Sequence, residues 1–121
     1  GLQTQGFPNF FTLVGPHNGS TFCNIPRCIE QNVEWVTECI KYMSDNGFSK
    51  IETEKTAEEE WTQHVYEVAK PSLLMKTDSW FVGANIPGKK RNFLMYAGGS
   101  PTYRAKCEEI VKNGYEGFKL S

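Results

Sequence analysis

The segment from Gly15 to Phe48 constrains the fold most, because its pattern indicates a turn, one long amphipathic helix and a defined stop. Apolar side chains recur at steps of three and four residues, which is the period of one helix face. Charged residues occupy the opposite side, so we expect one buried face and one solvated face. The expected buried stripe consists of Ile25, Ile29, Val33, Val36, Ile40 and Met43, with Cys28, Trp35, Cys39 and Tyr42 in a neighbouring row.

Both ends of this helix carry termination signals. Three residues ahead of it have side chains that can accept hydrogen bonds from the free N–H groups of the first turn, namely Ser20, Thr21 and Asn24. Pro26 suits the first turn, where its missing donor is not needed. Asn46-Gly47 predicts a C-cap with a left-handed glycine, after which Phe48 folds back onto Met43.

The remaining chain predicts a mixed α/β fold with three helices, a few short strands and one long loop. A capping box at Thr56–Glu59 begins the second helix, and Ser100-Pro101 begins the third, which stops at Asn113-Gly114. Residues 73–92 show no helical period and contain Gly and Pro, which predicts the long loop. Short strands are expected at 10–14, where the strand should be buried on both faces, and at 50–52, 93–96 and 118–120.

Composition excludes several classes of protein. The 121 residues carry a net charge of −1 with mixed signs along the chain, which does not favour a nucleic-acid surface. No apolar run approaches the length of a membrane span. The four cysteines form no C-x-x-C and the two histidines are far apart, so no metal site is expected. We expect all four thiols to be free, a cytoplasmic location, and a solvated turn position for His17.

Four stretches carry a resemblance in the same order and spacing: GFPNFFTLVGP at 6–16, CNIPRCIEQNVEWV at 23–36, DSWFVGANIPGKKR at 78–91 and YEGFKLS at 115–121. Together they resemble the C-terminal part of FAD-dependent Baeyer–Villiger monooxygenases, the group of cyclohexanone and phenylacetone monooxygenases. The resemblance covers nearly the whole chain. It implies that residues 1–121 are the C-terminal part of the FAD-binding domain in a flavoprotein with two dinucleotide-binding domains.

The resemblance also implies site residues. Asn24 and Ile25 would lie against FAD at the start of the long helix. The loop at about 73–92 would cover NADP, with Trp80 contacting the nicotinamide nucleotide. The residues that would border the ketone pocket are Phe22, Cys23, Phe93 and Met95.

The implied reaction converts a ketone to an ester or lactone with FAD, NADPH and O2. No two of the eleven glycines are separated by a single residue, so the chain has no G-x-G-x-x-G of its own. We therefore expect no catalytic residue in this piece and no activity from it alone. Its partners would be the remaining FAD and NADPH domains, and the detached piece should self-associate through exposed apolar surface.

Two alternatives stay open. One is an independent binding or interaction domain derived from such an enzyme. The other is part of an FAD-dependent monooxygenase that oxidises nitrogen or sulfur. The second alternative is separated from the Baeyer–Villiger interpretation by comparing the products formed from cyclic ketones with those formed from amines and sulfides.

Overall fold

A computed structural model describes residues 1–19 and 23–121. Within these residues it contains three α-helices, two short antiparallel strands and two turns of 3-10 helix, which confirms the small mixed α/β fold. The strands pair with Ile51 opposite Leu120. The helices are α1 (Ile25–Asp45), α2 (Lys55–Ala69) and α3 (Ser100–Lys112), the strands are β1 (Ile51–Thr53) and β2 (Phe118–Leu120), and the 3-10 turns are Leu73–Lys76 and Trp80–Val82.

The stop of α1 has the geometry that the sequence predicts. Gly47 adopts a φ of +72°, and the Phe48 amide donates to the Met43 carbonyl at 2.9 Å. The end of α3 repeats this closure, since the Tyr115 amide donates to the Ile110 carbonyl at 2.8 Å. In both cases a left-handed residue lets the chain reverse and satisfy a terminal carbonyl. The two reversals lead into β1 and β2, which pair with each other.

The core lies between the three helices, the C-terminal segment and the buried part of residues 82–96. Trp35 packs edge-on against Tyr115, with 5.4 Å between ring centroids, and its Nε1 donates to the Cys107 carbonyl at 3.2 Å. A buried indole therefore has both its apolar and its polar requirements met. The buried members of the core are Leu2, Trp35, Cys39, Met43, Ile51, Val65, Ala69, Val82, Phe93, Met95, Tyr96, Tyr103, Cys107 and Tyr115.

The face of α1 that points into this core differs from the predicted one. Ile25, Ile29, Val33 and Ile40 of the predicted stripe are 51%, 40%, 44% and 56% exposed. The neighbouring row turns inward instead, because α3 packs on that side through Trp35 and Cys107. The buried residues of α1 are Cys28, Asn32, Trp35, Cys39 and Met43. The helical period is right, but the prediction of which stripe is buried is wrong, except for Met43 and for Val36, which is partly buried against the core.

The predicted strand at 10–14 is also wrong. This segment is irregular, Val14 has a φ of +53°, and Phe10 and Leu13 are about half exposed. The Thr12 amide donates to the Leu2 carbonyl at 2.8 Å. A strand needs a partner ladder, and the only ladder among residues 1–19 and 23–121 joins β1 to β2.

The segment 93–96 is buried, as a strand would be, but it forms no regular strand. The Leu94 amide donates to the Phe81 carbonyl at 2.8 Å, and the Tyr96 amide donates to the Asn18 carbonyl at 3.3 Å. These isolated bonds join it to two irregular segments. The prediction of a strand at 93–96 is therefore wrong. β1 lies one residue later than expected, and β2 has the expected bounds.

Helix starts are less well predicted than helix stops. α2 begins at Lys55 with Glu54 as its N-cap, so Thr56 lies inside the helix, and Glu59 pairs with Lys55 at 3.8 Å. The N-cap of α3 is Gly99 rather than Ser100. Asn24 is the N-cap residue of α1, but its side chain makes no capping bond. The other two predicted caps, Ser20 and Thr21, lie outside the described residues.

Candidate functional site

The turn that leads into α1 is held by two buried asparagines. The Asn18 Nδ2 donates to the Asn32 Oδ1 at 2.8 Å, and the same oxygen accepts the Val14 amide at 2.9 Å. Asn18 accepts the Gly19 amide through Oδ1 at 2.7 Å. Both side chains are fully buried, so these bonds replace water for groups that would otherwise be unsatisfied. The backbone up to Gly19 is therefore fixed relative to α1.

Neither Asn18 nor Asn32 is among the predicted site residues. The available sequence signal for Asn32 is its position between Ile29 and Val33, on the side of α1 where apolar residues predominate. A polar residue at such a position requires a partner when it is buried. That partner is Asn18, in a turn fourteen residues earlier. The helical period of α1 gives no information about a partner outside the helix.

His17 joins the same turn to the segment 93–96. Its Nε2 lies 2.9 Å from the Phe93 carbonyl oxygen, and its amide donates to the Leu94 carbonyl at 2.8 Å. The Trp61 Nε1 donates to the His17 carbonyl at 3.2 Å. Desolvation by burial lowers the pKa of His17. The expectation of a solvated turn residue is therefore wrong, because both backbone and side chain have protein partners.

Cys23 and Cys28 form a disulfide at the start of α1. Their Cα atoms are 6.7 Å apart, because Cys23 precedes the helix and Cys28 lies in its first turn. Cys28 Sγ also lies 3.5 Å from the Ser100 Oγ of α3. The expectation of four free thiols is wrong for this pair. Cys39 and Cys107 are free and buried, and burial raises the pKa of Cys39 to about 11.

The two residues predicted to contact FAD are both accessible. Asn24 is exposed, and Ile25 is 51% exposed at the first position of α1. The first turn of a helix has N–H groups without intrahelical partners and a partial positive charge. This end of α1 can therefore receive an electron-rich ring edge. Phe22, predicted to border the ketone pocket, lies outside the described residues.

The side of α1 opposite the exposed stripe forms a cleft of about 620 Å³ with the start of α3. Cys23 and Asn24 line this cleft, together with Arg27 and Ser100. Arg104 and Glu34 cross it as an ion pair of 3.4 Å. Two predicted site residues thus share one concave surface at the N-terminal end of α1.

Phe93 and Met95 lie elsewhere, in the core, where they are 1% and 5% exposed. They neighbour the turn before α1 through the bonds of His17 to Phe93 and Leu94. Their predicted pocket role stays a prediction. The arrangement nevertheless places the 93–96 segment beside the turn that leads to Cys23.

Trp80 stands apart from these residues on a 3-10 turn of the 73–92 segment. It is 55% exposed, and its ring lies against Phe81 with 4.2 Å between centroids. An ion pair of 3.0 Å between Asp78 and Arg91 joins two parts of the segment. The exposed part of the indole offers a flat face for stacking.

Two classes of feature are missing from the described part of the chain. No helix there is both long enough and apolar enough to cross a membrane. Within residues 1–19 and 23–121, no three His, Cys, Asp or Glu side chains are grouped so as to hold a metal ion.

Comparison with known proteins identifies the type of chain, although no family model matches it. It is 46% identical over its whole length to 2-oxo-Delta(3)-4,5,5-trimethylcyclopentenylacetyl-CoA monooxygenase of Pseudomonas putida, covering 23% of that protein. It is 43% identical to phenazine N-monooxygenase PhzNO1 of Lysobacter antibioticus, with 99% of the chain covering 22% of that protein.

The fold agrees with the sequence. All of the chain superposes on 22% of cyclohexanone monooxygenase from Rhodococcus sp. Phi1 bound to NADP+, with a TM-score of 0.92 and 43% identity. The chain thus has the sequence and the fold of a C-terminal segment of flavin-dependent monooxygenases. More narrowly, it is homologous to the C-terminal part of Baeyer–Villiger monooxygenases, which confirms the resemblance. It spans less than a quarter of the length of the curated relatives it matches.

Proposed function

We propose that this chain is the C-terminal segment of a monooxygenase that converts ketones to esters or lactones with FAD, NADPH and O2. The observation that carries the proposal is the match of the entire chain, in sequence and fold, to the C-terminal segment of cyclohexanone monooxygenase. In this proposal residues 1–121 are the C-terminal part of an FAD-binding domain within a flavoprotein that has two dinucleotide-binding domains. The segment alone is inactive, and its partners are the remaining FAD and NADPH domains.

The start of α1 fits a flavin ring. Asn24 and Ile25 are exposed, the Asn24 side chain makes no capping bond, and the helix behind them is 21 residues long. FAD supplies electron transfer and oxygen activation when it is bound, and solved relatives include complexes with FAD and NADP. In this chain, Ile25 provides an apolar contact to the ring, and the helix N-terminus stabilises negative charge at its edge.

The segment 73–92 supplies the cover over NADP, with Trp80 as the stacking residue. Its exposed indole supports this role, because a large aromatic side chain gains free energy when a ligand covers it. The three consecutive basic residues Lys89–Arg91 favour a phosphate-bearing ligand nearby.

The ketone pocket is bordered by Phe22, Cys23, Phe93 and Met95. Support comes from His17, which bonds to Phe93 and Leu94 and so keeps the 93–96 segment beside the turn before α1. A shift of either segment would alter the wall of this pocket. The identity of the ketone depends on the parts of the enzyme that precede this segment in its relatives.

The test is a full-length chimera. The matching C-terminal segment of the Rhodococcus cyclohexanone monooxygenase is replaced by residues 1–121, and the unmodified enzyme is the control. We expect NADPH- and O2-dependent conversion of cyclohexanone to its lactone, measured by gas chromatography with mass spectrometry. A chimera that holds FAD and oxidises NADPH but forms no lactone would contradict the proposal.

A second candidate is oxygenation at nitrogen, because a relative named as an N-monooxygenase is as similar to this segment as the ketone-oxidising ones. The full-length parent of this chain separates the two functions. Lactone from cyclohexanone supports ketone oxidation, whereas N-oxide or sulfoxide from amines or sulfides without lactone supports the alternative.

A cytoplasmic location stays a prediction. The argument for it from four free thiols no longer applies, because Cys23 and Cys28 form a disulfide. Self-association of the isolated chain also stays a prediction.

A further inference from the structure

His17 lies between the turn before α1 and the segment 93–96. We propose that it is a positioning residue of the monooxygenase site, whose side-chain hydrogen bond to Phe93 sets the pocket wall and thereby the fit of the ketone. His17 itself contacts no reacting atom in this proposal. The inference rests on the proposed function, since that function supplies the ketone pocket.

The backbone at His17 is fixed in an uncommon conformation. Its φ is +60°, in the left-handed region. Its amide donates to the Leu94 carbonyl at 2.8 Å, and its carbonyl accepts the Trp61 Nε1 of α2 at 3.2 Å. A residue other than glycine keeps such a φ where the surroundings determine it, and such positions are concentrated at functional sites. The turn is therefore held against both α2 and the segment 93–96.

The side chain of His17 adds a bond that the backbone cannot supply. Its Nε2 lies 2.9 Å from the Phe93 carbonyl oxygen. Because a carbonyl oxygen only accepts, the imidazole carries its hydrogen on Nε2 and donates it. Phe93 is 1% exposed, so its carbonyl has little access to a water molecule that could replace this donor. The side chain at position 17 thus determines where this carbonyl is satisfied.

The segment 93–96 depends on such single bonds. A strand in a sheet would be held by a row of neighbouring bonds, but this segment is irregular. The Leu94 amide donates to the Phe81 carbonyl, and the Tyr96 amide donates to the Asn18 carbonyl at 3.3 Å. Loss of one bond therefore displaces this segment more readily than it would displace a strand.

The turn on the other side of the bond is anchored more firmly. Asn18 follows His17 and donates to the Asn32 Oδ1 of α1 at 2.8 Å, and both asparagines are fully buried. Buried amide groups are costly to separate from their partners. When the His17 side-chain bond is lost, we therefore expect the segment that carries Phe93 and Met95 to shift, while the turn stays with α1.

Such a shift acts on the ketone rather than on the flavin. In the proposed function, Phe93 and Met95 border the ketone, whereas Asn24 and Ile25 contact FAD. A displacement of about 1 Å in a positioning group is enough to change a rate strongly. Discrimination between substrates follows from such differences in fit. His17 should therefore affect the KM for the ketone and the stereochemistry of the product, and leave FAD binding unchanged.

The experiment compares two amide side chains of different reach. His17→Gln has its amide nitrogen at the ε position, from which it can donate to Phe93 as the imidazole does. His17→Asn suits a left-handed backbone, but its nitrogen lies one bond closer to the backbone and does not reach. Asn9→Ala is the matched control, because Asn9 also has a positive φ, of +58°, and its Nδ2 donates to the Ser49 carbonyl at 3.0 Å, in the turn before β1.

All three variants are made in the Rhodococcus chimera, with rates expressed per bound FAD. His17→Asn should raise the KM for cyclohexanone roughly tenfold with little change in kcat, as expected for the loss of one hydrogen bond. It should also shift the enantiomer ratio of the lactone from 4-methylcyclohexanone, measured by chiral gas chromatography. His17→Gln should restore both values, and Asn9→Ala should leave both unchanged. A merely structural role would lower the yield of folded enzyme without altering the enantiomer ratio.

Hydrogen exchange in the isolated chain measures the position of the segment without catalysis. The amides of Leu94 and Tyr96 are hydrogen-bonded, so the peptide that contains them should be protected. His17→Asn should make this peptide exchange roughly tenfold faster, because one hydrogen bond no longer opposes local opening. His17→Gln should exchange like the unaltered chain.

Several results would overturn the proposal. One is an unchanged KM and enantiomer ratio in His17→Asn, and another is an equal change in His17→Gln, since the bond to Phe93 would then not be the cause. An equal shift of the enantiomer ratio in Asn9→Ala would show a general effect of lost stability. An unaltered chimera that forms no lactone would contradict the proposed function, and hydrogen exchange would still decide whether His17 positions the segment. Unchanged exchange in His17→Asn would show that it does not.

Discussion

Asn32 shows how one buried side chain can fix the approach to a helix. Its Oδ1 accepts hydrogen bonds from Val14 and from Asn18. Replacing Asn32 with Leu keeps a similar volume but leaves one buried donor, on Asn18, and one partly buried donor, on Val14, without an acceptor. We expect a loss of about 2–3 kcal/mol in the free energy of unfolding.

Urea denaturation of the isolated chain measures this loss. Thr37→Leu, at an exposed position on α1, is the matched control and should change the stability little. Equal stabilities for the Asn32 and Thr37 variants would show that the asparagine pair does not hold the turn.

His17 makes the stability depend on pH. Burial lowers its pKa below the ordinary value of 6.5, so the folded state favours the neutral ring. The stability that the neutral ring contributes is present above the unfolded pKa and is lost as pH falls through the folded pKa, because the unfolded state binds more protons. We therefore expect the free energy of unfolding to decline as pH falls below about 6.5.

His17→Gln, compared with the unaltered chain between pH 7.5 and pH 4.5, measures this contribution as the difference between the two stability curves. The Gly1 amine adds a second slope, because desolvation lowers its pKa to about 5. Acetylation of the amine in both proteins removes that slope, together with the amine charge that also lowers the pKa of His17, and leaves the effect of burial on the histidine. Parallel curves for the acetylated proteins would mean that His17 does not titrate differently on folding.

At the scale of elements, the sequence predicts helices and their stops better than strands or buried faces. The glycine stops of α1 and α3 depend on a few adjacent residues, and both have the expected hydrogen bonds. The strand at 10–14 was expected from composition alone, but a strand also needs a neighbour that local sequence does not reveal. The inward face of α1 depends on where α3 packs, which is again a long-range contact.

The candidate site also contains some features that local sequence predicts and others that depend on long-range contacts. The sequence alone marks the start of α1 as a place where a ligand can approach, through Pro26 and the polar residues before it. The predicted roles of Trp80, Phe93 and Met95 come from the family resemblance, since no local pattern distinguishes them from core or loop residues. The asparagine pair and the bonds of His17 could not be predicted, because their partners are distant in sequence.

The disulfide at the start of α1 gives a prediction at this scale. Denatured, unreduced chain should contain two free thiols, Cys39 and Cys107, by titration with a thiol reagent. Reduction of the Cys23–Cys28 loop should lower the free energy of unfolding by about 2 kcal/mol, because the unfolded chain regains the entropy of the open loop. A Cys23→Ser, Cys28→Ser double variant should be insensitive to reductant. Four free thiols in the unreduced chain would contradict the disulfide.

At the scale of the whole molecule, the chain is a folded piece whose features make sense within a longer polypeptide. It has its own core, helix stops and a two-stranded sheet. It also leaves one helix face and one indole exposed, and it carries no G-x-G-x-x-G among its eleven glycines. The central claim is that the chain completes a flavin site but does not form one by itself.

The visible absorption spectrum tests this claim most directly. The isolated chain and the Rhodococcus chimera are each mixed with excess FAD, passed through a desalting column and scanned. We predict a colourless isolated chain and a yellow chimera with bound flavin. An isolated chain that retains FAD would contradict the claim, because a flavin site would then form in a chain that has no G-x-G-x-x-G.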